Sequence, residues 1–307
     1  MGVLGYFGPA GTFTHQALLT ISGDDEVVPF ATVSQALDAV REGVVSGSLV
    51  PIENSVEGGV SATLDNLATG EQLMIVREVL LPIEFELSGR PGATLADVRR
   101  VVSHPHAIAQ VRDWLSTNLP DVTITEGGST AGAAKEVAKP DSAYDAAVCA
   151  AVAGRMYGLE PLATSVADNP NAVTRFVLAT RPAAPPKPTG ADKTTLVAYI
   201  HQDHPGALSD LLEQFFAHGV NLCRLESRPT KTKLGNYCFS IDAEGHICDP
   251  RMADAMRGLH RVCESVVYLG SYARADRVKP KIRRGFSDAD FAAAASWYDG
   301  LVNPDRS

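Results

Sequence analysis

The first 180 residues alternate between short apolar runs and segments with helical periodicity. Five runs rich in β-branched and aromatic residues predict strands, namely VLGYF, EVVPF, SLVPIE, DAAVCA and VTRFVLA. Between the second and third runs, Val33, Leu37, Val40 and Val44 recur at spacings of three and four residues, which predicts a helix with one apolar face. This alternation is typical of an α/β domain with a largely parallel sheet.

The order of these elements also predicts the domain organisation. Two alternating stretches, 1–77 and 78–160, predict two lobes with a cleft between them, and 161–181 is expected to return to the first lobe. Residues 1–181 therefore form the expected N-terminal domain. The segment 182–192 predicts a semi-rigid linker, because RPAAPPKPTG holds four prolines in ten residues and hardly an apolar side chain.

Residues 193–273 contain six predicted elements in the order β-α-β-β-α-β, the pattern of a ferredoxin-like domain. TTLVAYI, NLCRLES, NYCFSID and SVVYLGSY predict the strands. Gly219 is expected to end the first helix, and Asp249 and Pro250 are expected to begin the second, as N-cap and first-turn residue. The second domain therefore has a different architecture from the first.

The tail over 274–307 is basic at its start. We interpret the basic run 279–284 as a solvated connector rather than a binding patch. A short helix is expected to follow, with Ser287 as its N-cap and with Phe291 and Tyr298 on one face.

Composition excludes several classes of protein. The 307 residues carry 27 Lys and Arg against 36 Asp and Glu, a net charge of −9, so we expect no nucleic-acid or membrane partner. Five cysteines without a C-x-x-C pair disfavour a disulfide framework and a metal site of short ligand spacing. The chain has no run of 18 apolar residues and no export signal, so we expect a cytoplasmic protein.

Three predicted strand-to-helix turns carry residues that suit an anion, because a helix start presents free backbone N–H groups. The turns are GYFGPAGTF with Thr12, PIENSVEGG with Asn54 and Ser55, and EGGSTAGAA with Ser129 and Thr130. Each turn also has a structural interpretation. Thr12 can cap a tight turn, and Asn54 has capping-box spacing with the glutamate three residues later.

The run VTRFVLA places a threonine and an arginine at the start of a strand that should be buried. On a continuous strand, Thr174 and Arg175 point to opposite faces, so both reach one cleft only if the strand begins after them. Arg175 needs a partner, which is either a ligand carboxylate or an internal Asp or Glu. No P-loop, nucleophile elbow or reactive cysteine is present, which leaves cofactor-free chemistry on a small polycarboxylate, or binding alone.

These motifs, taken together and in order, resemble the prephenate dehydratases. The resemblance rests on GPAGTFTHQA, VPIENSVEGGV, SHPHAIAQ, the Ser129–Thr130 turn and NAVTRFVLA, with HPGALSDLL and LCRLESRPTK similar to the effector motifs of ACT regulatory domains. It implies a two-lobed catalytic domain like a periplasmic binding protein, followed by an ACT domain. It also implies decarboxylative dehydration of prephenate to phenylpyruvate in phenylalanine biosynthesis, without cofactor or metal.

The resemblance assigns roles to residues of the first domain. Thr174 is expected beside the leaving hydroxyl as a positioned hydrogen-bond donor, and Arg175 is expected to anchor a carboxylate. Phe176 is expected to pack under the site. Further polar contacts to the substrate are expected from Thr12, Asn54, Ser55, Ser129 and Thr130. Many relatives have Gln at the position of His106, so no role is assigned to this histidine.

In the second domain, the resemblance implies that L-phenylalanine binds as allosteric effector. The expected effector residues are Gly206, Ala207, Leu208, Asn221, Leu222, Glu226, Ser227 and Arg228. A homodimer or homotetramer is expected. Two other functions stay open at this point: an arogenate dehydratase, which performs the same reaction on the aminated substrate, and a non-catalytic sensor of an aromatic acid.

Overall fold

The computed structural model describes residues 2–201, 204–230 and 237–303. The chain divides into two compact units, Met1–Thr63 with Val79–Val177, and Leu64–Glu78 with Leu178–Ser307. The segment Leu64–Glu78 groups with the C-terminal residues, whereas the sequence led us to expect it in the first domain. Contacts within the second unit explain this grouping, since Lys193 Nζ lies 2.9 Å from Glu78 Oε2.

The first sheet begins at the N-terminus of the chain. Its elements in chain order are β1 (Val3–Phe7), α1 (Phe13–Leu19), β2 (Glu26–Phe30), α2 (Val33–Arg41), β3 (Gly47–Asn54), β4 (Gly58–Gly59), α3 (Ser61–Thr69) and β5 (Met74–Pro82). Strand β1 pairs in parallel with both β2 and β3, as the alternating pattern predicts. Helix α2 buries Val33, Leu37 and Val40 but ends before Val44, which is exposed because Gly43 has a φ of 76° and turns the chain away.

The second sheet follows directly. Its elements are β6 (Glu86–Gly89), a 3₁₀ turn (Leu95–Asp97), β7 (Arg100–Ser103), α4 (Pro105–Ala109), α5 (Arg112–Asn118), β8 (Thr123–Glu126), α6 (Thr130–Val137), β9 (Ala146–Cys149), α7 (Ala151–Met156) and β10 (Glu160–Ala163). The strand order is β10-β6-β9-β7-β8. Strands β7, β8 and β9 are parallel, and β6 pairs antiparallel with β9 and β10.

Strand β11 (Val173–Thr180) returns to the first sheet, whose order is β2-β1-β3-β11-β5. The chain therefore forms two sheet-based lobes over this part, as expected. The change from the first sheet to the second occurs after Pro82 and the return after Ala163, a few residues later than the boundaries expected from sequence. The charged pair Arg77 and Glu78 lies inside strand β5 and does not interrupt it, so the strand continues to Pro82, past the boundary expected at residue 77.

The ferredoxin-like pattern is present in the second unit. Its elements are β12 (Asp192–Ile200), α8 (Ala207–Phe216), β13 (Leu222–Pro229), β14 (Tyr237–Glu244), α9 (Pro250–Val262) and β15 (Cys263–Ala273). The strands form an antiparallel sheet of order β13-β14-β12-β15, with Leu211, Phe215 and Leu259 of the helices packed into one core with strand residues. The expected α/β class and βαββαβ order are thus confirmed.

Two details of this region were expected from local sequence. Helix α8 ends at Phe216 with Ala217 as its C-cap, two residues before Gly219, which turns the chain with a φ of 67°. Asp249 is the N-cap residue of α9, but its side chain accepts a hydrogen bond from His246 N (2.8 Å) and does not cap the helix.

The tail contains helix α10 (Asp288–Val302), which Ser287 caps together with Asp290 in a capping box. No residue of α10 is buried. Within the described ranges, no helix is long and apolar enough to cross a membrane.

Candidate active site

A cavity of about 300 Å³ lies in the first unit, and residues of both lobes line it. The lining residues are Phe7, Gly8, Pro9, Thr12, Phe13, Thr14, Ala31, Asn54, Glu57, Ile83, Phe85, His104, His106, Ala107, Gln110, Gly128, Ser129, Thr130 and Thr174. All three of the predicted strand-to-helix turns contribute to this list. The expected cleft therefore exists, and its polar groups decide what it can bind.

Asn54 connects two of the predicted motifs. Its Oδ1 accepts hydrogen bonds from the backbone N–H groups of Val56 (2.8 Å) and Glu57 (3.1 Å). Because only the amide oxygen can accept, Nδ2 must face Thr174, and it donates to Thr174 Oγ1 over 2.8 Å. The Thr174 oxygen is thus an acceptor for Asn54, so its own hydrogen is available to a ligand in the cavity.

Strand β11 places Thr174 and Arg175 on opposite faces. The strand begins at Val173, ahead of both residues, so the condition for both to reach one cleft is not met. Thr174 lines the cavity and Arg175 does not. The guanidinium of Arg175 is buried, and its Nη1 lies 3.4 Å from Glu53 Oε2. The structure thus contains the internal ion pair that the sequence left open.

Two further predicted residues support β11 instead of lining the cavity. Ser55 Oγ accepts from Val173 N (2.9 Å), and Ser55 N donates to Val173 O (2.9 Å). These two bonds fix the start of the strand on which Thr174 lies. Phe176 is fully buried beneath it.

The β1–α1 turn follows its structural interpretation. Thr12 Oγ1 caps α1 by accepting from His15 N (3.4 Å) and donates to Pro9 O (3.0 Å). The backbone N–H of Gly8 donates to Phe30 O (2.8 Å), and that of Gly11 donates to His15 Nδ1 (3.1 Å). This turn therefore contributes shape to the cavity, and its polar groups already have partners.

Helix α6 presents its N-terminus to the cavity. Ser129 Oγ accepts from Gly132 N (2.9 Å), so its hydroxyl hydrogen is free to be donated elsewhere. Thr130 is the first helical residue, and the first-turn amides carry the positive end of the helix dipole. This turn suits a carboxylate, as the sequence predicts.

The sequence did not predict a polar cluster formed by Glu57 with two residues of α4 and its C-cap, His106 and Gln110. The Oε2 atom of Glu57, in the first lobe, lies 2.7 Å from His106 Nδ1, and its Oε1 accepts a hydrogen bond from Gln110 Nε2 (3.2 Å). The buried Oε1 of Gln110 has no hydrogen-bond partner in the part of the chain that the structure describes. His106 and Gln110 are four residues apart in SHPHAIAQ, which is the spacing of one helix face and the available signal.

His104 lies beside this group. It accepts from His106 N through Nδ1 (3.2 Å), which places the hydrogen of the neutral ring on Nε2. Burial, with a smaller contribution from His106, lowers the pKa of His104. His104 is therefore a neutral donor at pH 7.

The remaining walls are apolar, and the described residues that line the cavity include no lysine or arginine. Phe13 of the first lobe and Phe85 of the second meet edge to face with ring centroids 5.3 Å apart. A ligand with an acidic group and a six-membered ring therefore meets neutral hydrogen-bond donors on one side and aromatic rings on the other.

The predicted effector residues lie on two elements of the second unit. Gly206 is the N-cap of α8 with a φ of 100°, and the space where its Cβ would lie is open. Ala207 is buried and Leu208 is partly exposed. Leu222 begins β13, and Asn221 immediately precedes it and accepts through its backbone oxygen from Glu244 N (2.8 Å).

The other three effector residues lie further along β13, an edge strand of the described sheet. Arg228 donates to Asp65 Oδ1 from Nε (3.0 Å) and Nη2 (2.9 Å). Its Nη1 also lies 3.7 Å from Glu226 Oε1. Arg228 therefore holds acidic partners within its own unit, and Ser227 lies between the two charged residues.

Comparison with known proteins identifies the family. A sequence model of the family described as Prephenate dehydratase matches residues 4–184. The prephenate dehydratase of Amycolatopsis methanolica is 49% identical over 299 residues, covering 97% of each chain, and that of Mycolicibacterium vanbaalenii is 44% identical over 313 aligned positions, again 97% of each. The crystal structure of the Arthrobacter aurescens prephenate dehydratase in complex with L-Phe is 49% identical, with a TM-score of 0.93 over 98% of this chain and 99% of that one. The chain therefore belongs to the prephenate dehydratase family, whose members convert prephenate to phenylpyruvate with loss of CO₂ and water.

Proposed function

We propose that the cavity of the first unit is the active site in which prephenate is decarboxylated and dehydrated. The observation that carries this proposal is the hydrogen bond from Asn54 to Thr174, which leaves the Thr174 hydroxyl hydrogen for the substrate. As the ring carboxylate departs as CO₂, the electrons of its C–C bond enter the ring. The C–O bond across the ring breaks, and the leaving hydroxide takes up one proton from the solvent to form water, so that the prephenate dianion becomes the phenylpyruvate anion, CO₂ and water.

In this mechanism Thr174 stabilises the departing hydroxyl by donating a hydrogen bond. A threonine hydroxyl is a poor acid, so its contribution is a positioned donor and not a free proton. Asn54 is a positioning residue, because it fixes the direction in which the Thr174 hydrogen points. Ser55 holds the same strand through its two hydrogen bonds to the backbone of Val173.

The carboxylates of prephenate are bound by neutral donors. Ser129, Thr130 and the first-turn amides of α6 receive one carboxylate, and the rings of Phe13 and Phe85 enclose the six-membered ring. Thr12 shapes the wall beside them. We assign Arg175 a role in positioning strand β11, because its ion pair with Glu53 lies on the face of β11 opposite the cavity.

The second unit supplies regulation in this proposal. Residues 1–181 form the catalytic domain, 182–192 the linker and 193–273 an ACT domain that binds L-phenylalanine, which the L-Phe complex of the Arthrobacter aurescens relative supports. The open position at Gly206 lets a carboxylate approach the start of α8, a helix of 10 residues. Asn221 and the edge-strand residues Glu226–Arg228 supply further contacts, and the chain assembles as a homodimer or homotetramer.

Turnover of prephenate tests the catalytic part. The purified chain should form phenylpyruvate, measured by its absorbance, and L-phenylalanine should change the rate. A parallel reaction with arogenate, assayed for phenylalanine, distinguishes the two dehydratase activities. Well-folded protein that forms no product from prephenate would contradict the proposal.

A melting-temperature shift tests the effector part separately. Ligand binding to the folded state raises the melting temperature, so L-phenylalanine should stabilise the wild type. Gly206→Ala should abolish that shift. Gly92→Ala is the matched control, because Gly92 also has a positive φ (79°) and open space around it. An unchanged shift in Gly206→Ala, with the same basal stability as Gly92→Ala, would rule out this effector site.

A further inference from the structure

Helix α10 exposes an apolar surface that a single chain leaves uncovered. Trp297, Tyr298, Leu301 and Val302 are each more than half exposed, with Trp297 at 67%. None of the 15 residues of α10 is buried. A helix of this length is marginal in water without packing, and four large exposed side chains on one helical segment mark an interaction surface.

The charge of α10 restricts its partner. The helix carries Asp288, Asp290 and Asp299 and no basic residue. An anionic membrane surface and nucleic acid both repel such a helix. The expected partner is therefore a protein surface that combines apolar side chains with positive charge.

This chain carries such a surface on its second unit. A cavity of about 450 Å³ is lined by the exposed side chains of Phe216 and Val278, with Lys279, Lys281 and Arg283 around it. Val220, whose side chain belongs to the core, and Asn221, one of the proposed effector residues, also border the cavity. Phe216 is 70% exposed, and the Arg283 guanidinium lies 5.6 Å from its ring centroid. The one acidic residue of the lining, Glu244, is paired with Arg274 at 2.6 Å.

The α10 helix of the same copy does not fill this cavity. Phe286 packs against Gly219 at the cavity edge, so the tail is anchored there immediately before α10 begins. At about 1.5 Å per residue, Trp297 lies about 14 Å along the helix from Asp288. Its side chain and that of Leu301 remain in solvent.

We propose that α10 of a second copy of this chain binds in the cavity lined by Phe216, Val278 and Lys281. The acidic helix and the basic rim are complementary in charge, and both surfaces are apolar at their centres. Each copy offers one helix and one cavity, so a two-fold axis gives two identical contacts. This inference rests on the homo-oligomer of the proposed function and names one of its contact surfaces.

Trp297 fluorescence tests the contact directly. The chain has two tryptophans, so Trp114→Phe leaves Trp297 as the single reporter. Where mass photometry shows oligomers, Trp297 emission should be blue-shifted and its acrylamide quenching several-fold weaker than in dissociated chains. Both signals should revert on dilution, together with the change in mass.

A charge-exchange experiment identifies the partner surface. Lys281→Glu with Arg283→Glu should raise the dissociation constant by about tenfold or more, and Asp288→Lys with Asp299→Lys should do the same. Mixing the two doubly substituted chains should restore association, since the acidic rim then meets a basic helix. Val44→Glu, at a residue of similar exposure in the first unit, is the matched control and should have no effect.

The remaining outcomes each overturn the inference. If Trp297 is as exposed in the oligomer as in single chains, α10 lies outside the interface and only this inference fails. Protection of Trp297 in single chains would place α10 on its own copy. A chain that stays monomeric at every concentration would refute the proposed oligomer as well, while prephenate turnover would still report on the catalytic proposal.

Discussion

Asn54 donates a hydrogen bond to Thr174 over 2.8 Å, although the two residues are 120 positions apart in the sequence. The bond joins the end of β3 to the start of β11, two neighbouring strands of the first sheet. It fixes both the position of the Thr174 oxygen and the direction of its hydrogen.

Thr174→Ala should lower kcat by about 10²–10⁴-fold, because the departing hydroxyl loses its positioned donor. Thr174→Ser keeps a hydroxyl at the same place and should retain most of the activity. Steady-state kinetics with prephenate measure both, with circular dichroism as the control for folding. Full activity in the alanine variant would refute the role of Thr174.

Asn54→Asp should be nearly as damaging as Thr174→Ala, with a loss of about 10²-fold or more in kcat. A carboxylate still accepts from Val56 N and Glu57 N, so the turn is kept. It cannot donate to Thr174, whose hydrogen then turns toward residue 54 and away from the substrate. If Asn54→Asp were fully active, Thr174 would not depend on this orientation.

Arg175→Met separates the two interpretations of this arginine. The substitution removes a buried guanidinium and its hydrogen bond to Glu53, whose own side chain is 37% exposed and can be solvated. A hydrogen bond to a charged group contributes about 1.5–3 kcal/mol, so the unfolding free energy and the melting temperature should fall. KM for prephenate should change little in the fraction that remains folded. Unchanged stability with KM raised by about 100-fold would instead mean that Arg175 contacts the substrate carboxylate.

The case of Arg175 shows how far the sequence predicts the site. The residue types and their order predicted the fold class, the cleft and the positions of Asn54, Ser129 and Thr174 in it. Strand periodicity predicted that Thr174 and Arg175 face opposite sides of a continuous strand. Whether both could still reach the cleft depends on where β11 starts, and it starts at Val173, ahead of both residues. That start depends on hydrogen bonds to Ser55, a long-range contact that no local pattern contains.

The polar group on α4 was missed for a related reason. Gln110 and His106 share a helix face by their spacing, yet their common partner Glu57 comes from the other lobe. Capping-box spacing had suggested that Glu57 would turn back to its own loop. Only the packing of the two lobes reveals the contact that it makes instead.

The stability of the first unit should depend on pH through His15. Burial lowers the pKa of this histidine from its ordinary 6.5, and its unprotonated Nδ1 accepts from Gly11 N. Below about pH 6.5, His15 takes up a proton in the unfolded chain but not in the folded chain. The free energy of unfolding therefore falls as the pH drops from 7 through 6.5 and toward the lowered pKa of the folded state. Urea unfolding at several pH values measures the slope, which His15→Gln should reduce. An equal slope in that variant would assign the effect to other groups, among which His104 has a pKa shift of the same direction.

The buried pair of Lys193 and Glu78 should stabilise the second unit. Their charged atoms are 2.9 Å apart, and Glu78 Oε1 also accepts from Ala275 N (2.8 Å). Lys193→Met removes the cation that lies 2.9 Å from the buried Glu78 carboxylate and should lower the unfolding free energy by about 3–5 kcal/mol, measured by urea denaturation. The double variant Lys193→Met with Glu78→Gln removes both charges and should recover much of that loss, because the amide oxygen can still accept from Ala275 N. A double variant no more stable than Lys193→Met would show that packing of the lysine stem, and not the lost pairing of the two charges, accounts for the decrease in stability.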